Sequence, residues 1–248
     1  MTGKLGRRAG ARVRIAAMLA AGLIAAAGLA YVVERGSGAP PPAATAAKPR
    51  LMLLTTLPLV FGETFGVEGG GSPALEALET RYLVTPIGVA DAETLNQGRL
   101  LLMAHPLAQP AQALVDLDRW VRSGGRLLLL ADPALDWPSE RPLGDAFRPP
   151  PAFADTGLLA HWGLRLDAPD ERGPRQLSLG GQPILTASPG TLAGKCRISK
   201  DRLVAHCRIG KGEATIVADV DFLNVEDLDG PTANNLNAML AELAALED

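Results

Sequence analysis

The chain has 248 residues, of which 47% are hydrophobic and 4% aromatic, and carries a formal net charge of −3. That is enough for one domain with a sizeable core filled by Leu, Ala and Val. The mildly acidic balance argues against nucleic acid as a partner.

Five basic residues, Lys4, Arg7, Arg8, Arg12 and Arg14, crowd residues 1–14 with no acid among them. Residues 15–33 (IAAMLAAGLIAAAGLAYVV) follow without a charge, a length that crosses a bilayer core as a helix. The positive-inside rule puts the basic tail in the cytoplasm and everything after Val33 outside. A cleaved secretory signal, cut after Ala30 or near Ala46, is the competing reading. Either way the remainder is exported. The expected location is the inner membrane, single-pass, with the body in the periplasm and the lipid bilayer contacted through residues 15–33. Residues 34–49 are rich in Pro and Ala and read as an extended linker, leaving residues 50–248 as the folded α/β domain.

Arg50 to Leu57 reads as a first strand, stopped at Pro58. A loop with Glu63 and Gly69-Gly70-Gly71 precedes Ser72-Pro73, which reads as an N-cap and first helical position. The glycine loop lacks both the Gly-Lys-Ser/Thr ending and the GxGxxG spacing of phosphate cradles. Tyr82 to Ile87 reads as a second strand, and Asp91 to Asn96 as a capped helical turn. The central unit follows at residues 99–133. Arg99–Ala104 and Arg126–Ala131 are short apolar runs suited to strands buried on both faces of a parallel sheet. Between them Leu114, Leu117, Trp120 and Val121 recur at helical spacing, and Ser123-Gly124-Gly125 ends the helix.

Each of these two strands ends in a polar residue beside proline, His105-Pro106 and Asp132-Pro133. A strand order of 2-1-3-4 places the switch point between the strands ending at Leu57 and Ala104. Ligands of open α/β sheets sit at such points, so Glu63, His105 and Asp132, with Pro58, become the candidate ligand-binding crevice. The plain alternative is that strand-end Asp and His residues cap loops.

Residues 137–153 are too proline-heavy for a regular element. Asp155 caps a helix through Trp162, and Leu164–Leu166 is a brief strand. From Arg175 the period changes to two. One hairpin turns at Gly180-Gly181, and a second, Lys195–Ser199 with Arg202–Cys207, turns at Lys200-Asp201. Glu213–Ala218 is a further buried strand, and Pro231–Leu246 a closing helix. Cys196 and Cys207 are the only cysteines. They fall nearly opposite each other in the second hairpin, and in an oxidising compartment such a pair closes to a disulfide. Asp219 and Asp221 project to one side of a strand end. With Asp132 they are weak metal candidates, caps for the following loop being the commoner role. No GxSxG elbow is present, and nothing calls for a cofactor or a catalytic residue.

Three patches carry a resemblance: residues 101–133, residues 209–224 (IGKGEATIVADVDFLN) and residues 234–243 (NNLNAMLAEL). Together they resemble the gliding-motility-type ABC-transporter auxiliary domains, whose fold is that of class I glutamine amidotransferases. The resemblance implies a flavodoxin-like, mostly parallel sheet with helices on both faces. It also implies a non-catalytic, membrane-anchored accessory module of a transport or envelope-assembly complex, partnered by permease and ATPase subunits. The amidotransferase relatives keep a cysteine nucleophile after a central strand. The matching turns here read His105-Pro106 and Asp132-Pro133, which argues against amide hydrolysis. A ligand- or glycan-binding module is the alternative, and a metal-assisted hydrolase a further one.

Overall fold

The computed structural model describes residues 47–62 and 71–247. The expected basic tail, the membrane span at residues 15–33, most of the linker and Glu63 lie outside the described residues. Among the described residues no helix is long and apolar enough to cross a membrane.

The first half alternates strand and helix: β1 (Arg50–Thr55), α1 (Pro73–Arg81), β2 (Leu83–Pro86), α2 (Ala92–Leu95), β3 (Leu100–Ala104), α3 (Ala111–Arg122) and β4 (Arg126–Leu130). The second half holds α4 (Leu158–His161), β5 (Leu164–Asp167), β6 (Pro174–Leu179), β7 (Gln182–Ala187), β8 (Thr191–Gly194), β9 (Arg197–Ile198), β10 (Val204–Ile209), β11 (Gly212–Val217), a 3-10 turn (Asp221–Leu223) and α5 (Asn235–Glu247). A seven-stranded sheet runs β2-β1-β3-β4-β11-β10-β9. Its first five strands pair in parallel, and β10 and β9 close one edge antiparallel. The expected 2-1-3-4 order is present. β6 with β7 and β5 with β8 form separate two-stranded ribbons; β8 was not foreseen.

Two of the three anticipated caps stand at the N-cap position; Asp155 does not, because Gly157 holds that place in α4 and Asp155 Oδ1 accepts from Gly157 N and Leu159 N from two residues further out. Ser72 Oγ accepts from Leu75 N at 3.2 Å, and Asp91 Oδ1 from Thr94 N at 2.9 Å. Pro110 stands at the N-cap of α3, which therefore has no side-chain cap bond. The β6–β7 turn needs left-handed backbone at both central residues, and Gly180 and Gly181 supply it with φ of 57° and 75° at no steric cost.

Successive residues of β1 point to opposite faces of the sheet. Leu51 and Leu53 join one core with α1 and α5. Met52 and Leu54 join a second core with α3 and α4. Unbroken apolar runs in β3 and β4 follow, because both of their faces are covered. Burying a side chain such as Leu117 or Leu102, each fully enclosed, is worth about 1.5–3 kcal/mol.

The second hairpin brings Cys196 and Cys207 together as a disulfide with Cα atoms 4.9 Å apart. Ala205 pairs with Ile198 and His206 with Arg197, so Cys207 falls beside Cys196. His206, one residue away, faces the opposite side and meets Glu242 of α5 at 3.0 Å.

Candidate functional site

Three neighbouring parallel strands, β3, β4 and β11, deliver polar residues to their carboxyl ends. His105 follows β3, Asp132 stands two residues beyond β4, and Asp219 two beyond β11. The chain then turns through the 3-10 segment, which carries Asp221 back to the same place. Asp132, Asp219 and Asp221 each offer an oxygen, and these oxygens lie within 4.8 Å of one another. The three side chains and His105 are at most 1% exposed.

Each carboxylate is held by donors. Asp132 accepts from Ala134 N at 2.8 Å and from Val220 N at 3.1 Å, tying the β4 and β11 ends together. Both oxygens of Asp221 accept from Asp136 N at 3.0 Å. Asp219 Oδ2 accepts from the Thr186 hydroxyl of β7. Asp219 Oδ1 is buried and has no hydrogen-bond partner.

Burial is the chief force on all three. It raises Asp132 to about 6. Asp221 is raised to about 8, with the Asp132 charge adding to burial. Asp219 is pushed up by burial, and both neighbouring carboxylates add to the effect. Like charges this close in a water-poor site cannot all ionise unless something neutralises them. Among the described residues none of the three has a salt-bridge partner within 4.0 Å; Arg172 acts on Asp221, but it is the smallest of the forces on it.

His105 adopts a left-handed backbone with φ of 48°, as does Ser188 at 49°. Such conformations are uncommon outside glycine and occur where surrounding contacts hold them. His105 N donates to Leu130 O, its carbonyl accepts from Thr56 Oγ1 at 2.6 Å, and its Nε2 meets Pro150 O at 2.8 Å. With Nε2 donating to that carbonyl, Nδ1 is left as a buried lone pair without a partner. Burial lowers its pKa.

The crevice expected around Glu63, His105 and Asp132 takes a different form. The proline-rich segment crosses the ends of β3 and β4. It is pinned by the Pro150 carbonyl on His105, by Phe153 N donating to Asp132 O, and by Leu135 N donating to Pro151 O. His105 and Asp132 therefore lie beneath it and do not line an opening. The open cavity, of about 460 Å³, sits beside them at the ends of β1, β2 and β3, the expected switch point. Its walls include Thr55, Pro58, Phe61, Ile87, Leu107 and Phe147. Phe61 and Phe147 are 78% and 76% exposed, and Arg141 stacks on the Phe147 ring at 5.4 Å.

Sequence reasoning passed over Asn235. Its fully buried amide donates to Leu185 O and Phe222 O and accepts from Leu185 N, fastening α5 to β7 and the 3-10 turn. A polar pair, Asn234-Asn235, opening an apolar helix was the available signal. His161 lies at the edge of α4 beside Asp118 at 3.5 Å, a structural position.

No family model matches the chain, and no curated protein matches it. Among solved structures it is similar to the exo-β-1,4-mannosidase Op5Man5 from Opitutaceae bacterium strain TAV5, with 12% identity and a TM-score of 0.47 over 80% of this chain and 35% of that one. A β-galactosidase from Bacillus circulans sp. alkalophilus gives 13% identity and a TM-score of 0.45 over 81% and 31%. The chain thus spans about a third of the length of these glycosidases. The N-terminal domain of mmIFT52 gives 12% identity and a TM-score of 0.48 over 79% and 97%. Likeness at this level assigns no family and no activity.

Proposed function

We propose that the chain is an exported, membrane-anchored accessory module of an ABC-type transport or envelope-assembly complex. In this reading residues 15–33 hold it in the inner membrane, and the flavodoxin-like body works in the periplasm through protein contacts with the permease and ATPase-bearing assembly. The observation that carries the reading is the division at the carboxyl end of the sheet. The polar strand-end residues His105, Asp132, Asp219 and Asp221 are sealed, while the open cavity beside them is apolar and flanked by exposed Phe61 and Phe147. Exposed apolar surface of this kind marks interaction sites. The Cys196–Cys207 disulfide adds support, since such bonds persist in oxidising compartments.

The test is affinity purification of the tagged full chain from membranes in mild detergent after brief cross-linking. Recovery of a polytopic permease together with its ATPase, lost when Phe61 and Phe147 are both changed to Asp, is the expected result. A chain that is recovered alone, or that is found reduced in the cytosol, would overturn the proposal.

A further inference from the structure

We infer that Asp132, Asp219 and Asp221 form a binding site for one divalent cation of the calcium class, buried where β4, β11 and the proline-rich segment converge. Three observations lead there. First, the oxygens already converge to within 4.8 Å, and the side chains come from two stretches of chain, Asp132 beyond β4 and Asp219 with Asp221 beyond β11. Second, the surrounding donors are set for carboxylates: backbone N–H groups of Ala134 and Val220 on Asp132, that of Asp136 on Asp221, and the Thr186 hydroxyl on Asp219. Such bonds favour the ionised forms, yet none of the three has a salt-bridge partner among the described residues. Third, Asp219 Oδ1 is fully buried with no donor hydrogen-bonded to it, in a side chain that lies within hydrogen-bond reach of the Asp132 carboxylate and is repelled by both neighbouring charges. An unpaired buried carboxylate oxygen is costly, and a cation among the three supplies what it lacks.

The donor set chooses the ion. All three groups are oxygens, with neither Cys nor His among them, which suits hard cations rather than zinc or copper. Mg²⁺ dehydrates reluctantly and is usually held by one or two carboxylates with several waters, whereas Ca²⁺ accepts several carboxylates in flexible geometry; three buried carboxylates suit the latter. Gly190 keeps the neighbouring turn tight: a Cβ there would meet Pro133 Cγ at 2.4 Å and Asp167 O at 2.8 Å.

The site stands apart from the accessory role and is tested separately. The full chain in detergent is stripped with EDTA, exchanged into chelator-free buffer and titrated with calcium chloride, then with magnesium chloride, by calorimetry and thermal melting. About one Ca²⁺ per chain is expected. At a hundredfold excess over Kd the melting temperature should rise by roughly 5–10 °C, with magnesium at least about tenfold weaker. Asp219→Asn should abolish the calcium shift while its melting temperature in EDTA stays at or above that of the unaltered chain, because the amide removes a repelling charge. A carboxylate needed only for packing would instead lower both. Should Asp219→Asn fail to fold, Asp221→Asn gives the same comparison. No binding at about 1 mM calcium, with identical melting in EDTA and in calcium, would overturn the inference and leave protons as what neutralises the cluster. A response to magnesium alone would overturn the calcium assignment.

Discussion

Asp221→Asn offers a direct reading of the buried cluster when the cation is withheld with EDTA. In the folded chain burial and the Asp132 charge raise Asp221 from 3.8 to about 8. Between those values the folded state keeps a proton that the unfolded state has shed, so raising the pH destabilises the fold. The contribution is fully present below pH 3.8 and gone above about pH 8. Each retained proton is worth about 1.4 kcal/mol per pH unit. Asparagine has no proton to lose, and its side-chain oxygen still accepts from Asp136 N. The variant should therefore gain on the unaltered chain as the pH rises. Between pH 5 and pH 7 the gain has a ceiling of about 2.7 kcal/mol for one proton. Sharing of protons with Asp132 and Asp219 brings the expectation to about 1–2.5 kcal/mol. His105 works in the opposite direction, since burial lowers its pKa, but it is present in both proteins and cancels in the difference. Urea unfolding at pH 5, 6 and 7 in EDTA measures the quantity. An advantage that stays constant or shrinks with pH would refute the reasoning.

Replacing Cys196 and Cys207 together by Ser should cost roughly 2–3 kcal/mol in chemical denaturation, the loop-closure value for a bridge spanning so few residues. Thiol titration of the unreduced, unfolded protein should find no free sulfhydryl, since the described residues contain no free cysteine. Asn235→Leu removes three hydrogen bonds and strands the Leu185 N–H and two carbonyls. Each stranded group costs about 1–3 kcal/mol, so urea unfolding should show a loss of several kcal/mol, large enough to threaten expression. Leu117→Ala, at a fully enclosed position, should cost about 2–5 kcal/mol in the same assay. Phe147→Asp, at 76% exposure, should stay within about 0.5 kcal/mol and show its effect in partner recovery alone.

Where local pattern and final environment coincide, the chain was readable. The runs ending at Ala104 and Ala131 are unbroken because both faces of β3 and β4 are buried, and period two from Arg175 marks ribbons with one face free. Ser72 and Asp91 act within three residues of themselves, so their capping is local information. Cys196 and Cys207 were paired by strand register across one short turn. β8 escaped because its partner β5 is some thirty residues earlier, and four residues with Gly at one end carry no period of their own. Asp132, Asp219 and Asp221 were grouped from the ends of their strands. The lid over His105 and Asp132 was not foreseen, since its path is set by individual carbonyl contacts that no periodicity records.

That lid explains how an irregular segment can be held firmly. Proline removes N–H groups that would otherwise need partners, and it stiffens the backbone in an extended form. Its carbonyls remain, and the Pro150 and Pro151 carbonyls accept from His105 and Leu135. The segment thus anchors itself to the strand ends through these two acceptors and one donor, Phe153 N on Asp132 O, at little entropic cost because its prolines were already restricted when unfolded. Its inner side closes over the acidic cluster, and its outer side presents Leu143 and Phe147, 84% and 76% exposed. At the end of the sheet where open α/β folds usually bind ligands, polar chemistry has gone inward and apolar surface outward. Under the proposed role, a partner meeting this end would encounter side chains from the lid and from the loop after β1, two irregular segments rather than the strands beneath them.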